Sequence, residues 1–197
     1  MRAARSPSRI KDDMKNLGMT VIELMAVVAI CALLLVIVAP YLRHLYYSVE
    51  ARRITGEIYA LCQHARADAA VSRTPRIICG SADSRRCDGQ WSRGVLAFAD
   101  LNHNNLPDPA EVDRRYLPLE LRASSLSWRG FSGDLLRVEA FGIPFASNGT
   151  FTYCPGNRDD HLNRQVIVSR GGRVRFSQDN NGDGYHESTS GGPIQCP

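Results

Sequence analysis

The sequence predicts an α+β protein in which one long N-terminal helix precedes a set of short antiparallel strands. Residues 21–39 form an apolar run interrupted only by Glu23. At about 1.5 Å per residue, a helix over this run is about 28 Å long, enough to cross a membrane. From residue 76 onward, short β-type runs alternate with Gly, Asn, Asp and Pro. This spacing favours antiparallel hairpins over βαβ units.

The first 18 residues form a basic segment ahead of the apolar run. They carry three arginines and two lysines against two aspartates, so that removing them lowers the net charge of the chain from +4 to +1 (4 minus 3). A basic segment before a membrane helix predicts a cytoplasmic N-terminus. The bulk of the chain is therefore expected outside the cytoplasm.

The segment Gly18-Met19-Thr20-Val21-Ile22-Glu23 places a glycine before the apolar run, whereas an ordinary secretory signal has its cleavage site after it. With its lone acid five residues after the glycine, the segment resembles the class III signal of type IV pilins and pseudopilins. The resemblance implies cleavage after Gly18 by a prepilin peptidase and N-methylation of Met19, where the family usually has Phe. The protein would then reside in the bacterial inner membrane before it enters a filament.

Glu23 is expected to serve filament assembly. An ionised carboxylate inside a bilayer costs at least about 2.5–3.5 kcal/mol. Cleavage after Gly18 creates an α-amine four residues away, and in a filament the amine of one subunit can neutralise the acid of its neighbour. The alternative is a plain membrane anchor whose acid lies near the interface.

Together these features predict four segments. We expect a removed leader at 1–18, a membrane-spanning half-helix at 19–40, an amphipathic half-helix at 41–74 and a periplasmic β-rich head at 75–197. Pro40 predicts a kink or local melting of the helix, and Pro75 predicts its end. In the second half, apolar residues recur at helical spacing and should lie on the head domain; they are Leu42, Leu45, Val49, Ile54, Ile58, Leu61, Ala65 and Ala69.

Eight strands are predicted in the head. They cover residues 76–79, 94–99, 116–118, 125–128, 135–139, 151–153, 165–169 and 174–177.

The order of motifs in the head narrows the resemblance. Two cysteines with seven residues between them are followed by Trp-Ser-Arg-Gly-Val-Leu-Ala-Phe-Ala-Asp at 91–100, Asp-Pro-Ala-Glu at 108–111, Ser-Asn-Gly-Thr-Phe at 147–151 and Val-Ile-Val-Ser-Arg-Gly-Gly-Arg-Val-Arg at 166–175. Across most of residues 62–176 this order resembles the GspH/FimT family of minor pilins and pseudopilins. The resemblance implies a pilin-like fold, with the long helix packed on a small antiparallel β-sandwich.

The cysteines favour disulfides in an oxidising periplasm over a zinc site, since no Cys-x-x-Cys pair is present. We predict Cys79 paired with Cys87 and Cys154 paired with Cys196, with Cys62 free. Five cysteines follow the apolar run. At least one must therefore be unpaired or paired between chains, and other connectivities stay open.

Residues 169–176 carry the strongest indication of a binding function. Two glycines predict a tight turn, and strand alternation would then place Arg173 and Arg175 on one face and Val174 and Phe176 on the core face. Guanidinium groups at this spacing can contact successive phosphates. DNA-binding members of the family share a Gly-Arg-x-Arg motif, matched here by Gly172, Arg173 and Arg175. With Arg170, these residues are expected to bind double-stranded DNA without sequence specificity; the alternative is a solvated hairpin.

Two polar turns, at 100–111 and 179–184, partly match the calcium-binding loop of EF-hands. Asn and Asp are equally typical of hairpin turns, and we predict neither a metal nor a cofactor. The five histidines follow no catalytic spacing. Asp159, Asp160 and His161 resemble acid/base groups but lie in a loop-like run, so no enzymatic activity is predicted.

The sequence therefore predicts a minor type IV pilin that binds DNA in DNA uptake. Its expected partners are other pilins or pseudopilins, the prepilin peptidase, the inner membrane and double-stranded DNA. One alternative is a minor pseudopilin of a type II secretion system. A second alternative is a periplasmic binding protein tethered to the membrane by an uncut helix.

Overall fold

The computed structural model describes residues 20–111, 113–121, 123–131 and 133–197. The predicted leader, Gly18 and Met19 lie outside this range. The chain divides between Tyr41 and Leu42 into two compact units.

Helix α1 spans Val21–Ser72. Thr20 caps it, because the backbone N–H of Glu23 donates to Thr20 Oγ1 at 3.3 Å and also to the Thr20 carbonyl. The helix continues through Pro40, so the predicted local melting there is wrong. It ends three residues before Pro75, where Arg73 adopts a left-handed conformation with φ 58° that cannot continue a helix.

The N-terminal unit consists, in its described part, of the first turns of α1. By length and composition this part of α1 could cross a membrane. None of the residues in its most apolar 18-residue stretch is buried in the structure. Exposed apolar side chains on all sides are typical of a helix whose surroundings are lipid or other helices.

The second unit contains eight strands, and each predicted strand overlaps an observed one. They are β1 Arg76–Gly80, β2 Gly94–Ala99, β3 Arg114–Pro118, β4 Ser125–Gly130, β5 Leu135–Val138, β6 Gly149–Cys154, β7 Arg164–Val168 and β8 Val174–Phe176. A short 3-10 helix, Asp160–Leu162, precedes β7.

The strands form two antiparallel sheets. Sheet A has the order β3-β2-β1-β5, and sheet B has the order β4-β6-β7-β8. All described pairings are antiparallel. The predicted fold class, a long helix packed on antiparallel β-sheets, is confirmed.

The main core joins the helix to both sheets. Ile54 and Ile58 of α1 share one buried cluster with Ile78 of sheet A and with Phe151 and Val166 of sheet B. A shared apolar cluster of this kind is what holds helix and sheets as one unit.

The predicted apolar stripe of α1 is only partly correct. The predicted positions from Ile54 to Ala69 are buried, but Leu42, Leu45 and Val49 are about half exposed. These three precede Ala51, the first residue of α1 in the core. They therefore leave an apolar surface on this part of the helix.

Both predicted disulfides are present. Cys79 and Cys87 are joined with a Cα–Cα distance of 5.5 Å, and Cys154 and Cys196 with a distance of 6.0 Å. Cys62 is free and buried in α1. Burial raises the pKa of its thiol to about 12, so it stays protonated and unreactive at neutral pH.

Candidate functional site

The predicted turn between β7 and β8 is present and is closed by two backbone hydrogen bonds. The N–H of Gly172 donates to the Ser169 carbonyl and the N–H of Ser169 to the Arg173 carbonyl, both at 2.9 Å. Gly172 has φ 83°, a conformation that other residues adopt only with strain. The turn projects from sheet B, and Arg170 lies at its tip.

Three exposed arginines lie in this turn and in the strand after it, and only one of them belongs to the strand. Arg175 belongs to β8, opposite Ile167 of β7, whereas Arg170 and Arg173 belong to the turn. Among the residues that the structure describes, none of the three guanidinium groups has an ion-pair partner. Each of these charges is therefore available to a ligand.

Phe176 departs from the prediction that it faces the core. Its side chain is 42% exposed, and its ring stacks on Tyr59 of α1 with 4.9 Å between centroids. The alternation places Phe176 on the same face as Val174, which is buried. However, β8 is the edge strand of sheet B, and the core does not extend to its last residue.

Two residues beside the turn had not been predicted to belong to the site. Arg66 of α1 donates from Nε to the Gly142 carbonyl at 3.0 Å, and a Cβ atom at Gly172 would lie 3.1 Å from that nitrogen. The guanidinium of Arg170 lies 4.5 Å above the ring of Phe145, a cation–π contact.

We name Arg66, Phe145, Arg170, Arg173 and Arg175 the arginine surface. It combines four cations with an exposed aromatic ring. Cationic groups attract phosphates, and an aromatic ring beside them offers a face for a base or sugar.

The turn at 100–111 is closed by the protein's own groups. Asp100 is fully buried, and its carboxylate accepts from Arg137 Nη1 at 2.8 Å and from the N–H of Asn104 at 3.0 Å. Glu111 accepts from two backbone N–H groups. Hydrogen bonds from the amides of Asn102 and Asn104 hold the pKa of Asp108 below its usual value. A guanidinium thus occupies the position that a cation would take.

The turn at 179–184 brings three carboxylates together in a way that was not predicted. Oxygens of Asp179, Asp183 and Glu187 lie within 4.8 Å of one another on an exposed surface. Each carboxylate already accepts a hydrogen bond from a nearby backbone or amide group. These bonds are what an Asn- and Asp-rich turn requires for its own stability.

The acid/base-like run at 159–161 has local structural contacts. Asp159 caps the 3-10 helix by accepting from the N–H of His161. The ring of His161 stacks on Tyr185 at 4.0 Å, and its Nδ1 lies 3.1 Å from the Gly184 carbonyl. These contacts tie the 3-10 helix to the turn at 179–184.

Glu23 lies in the first turn of α1 and is exposed. Together with Thr20 it forms the Thr-x-x-Glu sequence of a capping box, in which the first residue caps the third helical position. A carboxylate near a helix N-terminus also interacts favourably with the helix dipole. The residue therefore has a local role besides the predicted one in assembly.

Comparison with known proteins assigns the family. The family model described as type II transport protein GspH matches residues 55–172, which include the last third of α1, strands β1 to β7 and the following turn as far as Gly172. The chain belongs to the GspH family. It is a minor pilin or pseudopilin of this type, and its family consists of filament subunits rather than enzymes.

Solved structures of a minor pilin and of a minor pseudopilin are similar to this chain. One is the type IV minor pilin FimU of Pseudomonas aeruginosa, with 21% identity, 66% of this chain and 89% of that chain covered, and a TM-score of 0.46. Another is the minor pseudopilin EpsH of the Vibrio cholerae type 2 secretion system, with 14% identity, 64% and 95% covered, and the same TM-score. No curated protein matches the chain.

Proposed function

We propose that this GspH-family protein is a minor type IV pilin whose head domain binds DNA for uptake. In this proposal the chain is inserted in the inner membrane with its head in the periplasm, is cut after Gly18, and is methylated on Met19. The apolar first half of α1 then packs against the helices of other subunits. Glu23, the single charged residue of that segment, forms an ion pair with the freed amine of a neighbouring subunit.

The unpaired arginines carry the DNA part of the proposal. Arg170, Arg173 and Arg175 lie within six residues of one another, are exposed, and have no acidic partner in the described part of the chain. A surface charge without an internal partner keeps its full attraction for phosphate. Arg66 adds a fourth cation beside the turn through its contact with Gly172.

Binding of this kind would not depend on DNA sequence. The proposed contacts are made by guanidinium groups to phosphates, and contacts to phosphates carry no base information. Affinity should therefore fall steeply with salt, by about 0.9 in log–log slope for each phosphate neutralised.

The test is duplex binding by the full-length chain in detergent micelles, followed by fluorescence anisotropy over a salt series. Arg173→Gln/Arg175→Gln should weaken binding at low salt and reduce the salt slope by about 2. The matched control is Arg85→Gln/Arg115→Gln, which removes the same charge from two exposed arginines elsewhere. Equal affinity of the test variant and the parent would refute the DNA assignment.

A second function is favoured by the description of the matching family model. A minor pseudopilin of a type II secretion system would use the same helix for assembly but has no need of DNA. Under that function the parent itself should show no salt-dependent duplex binding beyond that of the Arg173→Gln/Arg175→Gln variant. The anisotropy experiment therefore separates the two proposals.

A further inference from the structure

A cleft of about 330 Å³ lies on the outer face of sheet B. Strands β4, β6 and β7 form its floor, and residues 188–197 form its wall. It is lined by Ser127, Arg129, Thr150, Thr152, Gln165, Ser188, Thr189, Ser190, Pro193, Gln195 and Pro197. Its volume is that of a site for a small ligand.

The wall of the cleft is fixed to the sheet by three kinds of contact. The Cys154–Cys196 disulfide joins it covalently to β6. Ile194 is buried, and its carbonyl accepts from Asn163 Nδ2 at 3.0 Å. Within the wall, the N–H of Ser188 donates to the Gly192 carbonyl at 2.8 Å. The cleft is therefore a formed feature of the fold.

Gln165 supplies an unused hydrogen-bonding group at the floor. The residue is only 8% exposed, and its Nε2 donates to Thr152 Oγ1 at 3.1 Å. Its carbonyl oxygen is buried and has no hydrogen-bond partner among the described residues. Buried carbonyls in native proteins are nearly always paired, so this oxygen is suited to a donor from a bound molecule.

The lining determines the chemistry of that molecule. Six of its side chains are hydroxyls and two are carboxamides, groups that both donate and accept hydrogen bonds. None is acidic or aromatic. Among the described lining residues, the single charged side chain is the exposed guanidinium of Arg129, which forms no ion pair with another described residue. An apolar ligand would leave these groups unsatisfied, and a polyanion would need more than one cation.

The geometry points to a binding site for an acidic saccharide. A sugar ring carries closely spaced hydroxyls that match the Ser, Thr and Gln lining, and one of them would donate to Gln165 Oε1. A single carboxylate on the sugar would pair with Arg129, in the bidentate manner that guanidinium groups favour. The described lining of this site shares no residue with the arginine surface, although Arg175 projects from the same face of sheet B, next to Ile167.

Ligand binding is measured by saturation-transfer NMR and calorimetry. The full-length chain is kept in lauryldimethylamine oxide, a detergent without a sugar headgroup. The probes are glucuronate and galacturonate, each compared with its neutral hexose. At least one uronate should bind about tenfold more tightly than its neutral counterpart. Absence of binding by all four probes, or equal affinity for uronate and hexose, overturns the assignment.

Two variants locate the binding in the cleft. Arg129→Gln, at an exposed position, should lower uronate affinity to that of the hexose, whereas Arg115→Gln on sheet A should leave it unchanged. Gln165→Met removes the buried acceptor at similar volume and should weaken both uronate and hexose. Uronate binding that survives Arg129→Gln at full strength would place the ligand elsewhere. The Arg173→Gln/Arg175→Gln variant, which is expected to lose duplex DNA binding, should keep the parental affinities for uronate and hexose.

Discussion

Both faces of sheet A pack in apolar clusters, whereas one face of sheet B is polar and carries the cleft. Every residue of β1 and β2 is buried. On the face of sheet A away from the main core, Ile77, Leu96 and Phe98 form a second apolar cluster. The corresponding face of sheet B carries Ser, Thr, Gln and Arg side chains and the cleft. Both proposed binding surfaces therefore lie on sheet B.

The arginines of the two sheets differ in the same way. Arg137 of β5 pairs with Asp100 at 2.8 Å and with Glu139 at 3.1 Å. Arg175 of β8 has no such partner in the described chain. One cation is thus part of the structure of sheet A, and the other is free to bind. Under the proposed function, Arg137 serves stability and Arg175 serves recognition, because acids are placed beside the first and not, among the described residues, beside the second.

The largest expected effect is the difference in unfolding free energy lost between alanine variants of Phe98 and Phe176. Phe98→Ala deletes a fully buried ring and should lower the free energy of unfolding by about 4 kcal/mol. Phe176→Ala deletes the same group from a 42% exposed position stacked on Tyr59, at a cost of about 1 kcal/mol. Urea unfolding of the full-length chain in detergent, followed by tryptophan fluorescence, measures both. Similar losses would contradict the difference between the sheets.

The elements of this fold could be predicted from the sequence because each depends on local signals. Apolar runs bounded by Gly, Asn, Asp and Pro located all eight strands, and the cysteine positions led to both disulfides. Sheet membership could not be predicted in this way. Strand β4 belongs to sheet B, but β5, the next strand in the chain, pairs with β1 in sheet A. That pairing depends on contacts between distant segments.

The candidate site shows the same limit. The glycine turn and its arginines were visible because they lie within a few residues of one another. Arg66 and Phe145 join them only through the packing of α1 and of the loop before β6. The exposure of Phe176 was missed because alternation gives the face of a strand residue and not the extent of the core behind it.

Arg137 and Arg175 are expected to differ in role, the first contributing to stability and the second to DNA binding. Arg137→Met leaves the buried Asp100 carboxylate without its cation. Removing one partner of a buried pair is strongly destabilising, so the loss should be about 3 kcal/mol. Arg175→Met should change stability by less than about 0.5 kcal/mol, as surface substitutions do.

Duplex DNA binding should respond in the opposite order. Arg175→Met should weaken it, and Arg137→Met should leave it unchanged at temperatures where the variant is folded. Unfolding curves and anisotropy on the same two samples give both quantities. A variant of Arg137 with parental stability would mean that the ion pair with Asp100 contributes little to sheet A.

The smallest predicted effect is the difference between the two disulfides. Cys79–Cys87 closes a separation of 8 residues beside sheet A, and Cys154–Cys196 closes a separation of 42 residues beside sheet B. In the chain-entropy description, replacing both cysteines by alanine should cost roughly 2.5 kcal/mol in the first case and roughly 4 kcal/mol in the second. The difference of about 1.5 kcal/mol is measured from urea unfolding of the two double variants.

The disulfide variants also distinguish the two sheets by function. Cys154→Ala/Cys196→Ala releases the wall of the cleft from β6, so uronate binding should fall even under conditions where the head stays folded. Cys79→Ala/Cys87→Ala changes a loop that lines neither the cleft nor the arginine surface, and both binding activities should persist. Equal uronate affinity in the two variants would show that the wall keeps its position through Ile194 and Asn163 alone. In that case the disulfide beside sheet B would act on stability only, as the one beside sheet A is expected to do.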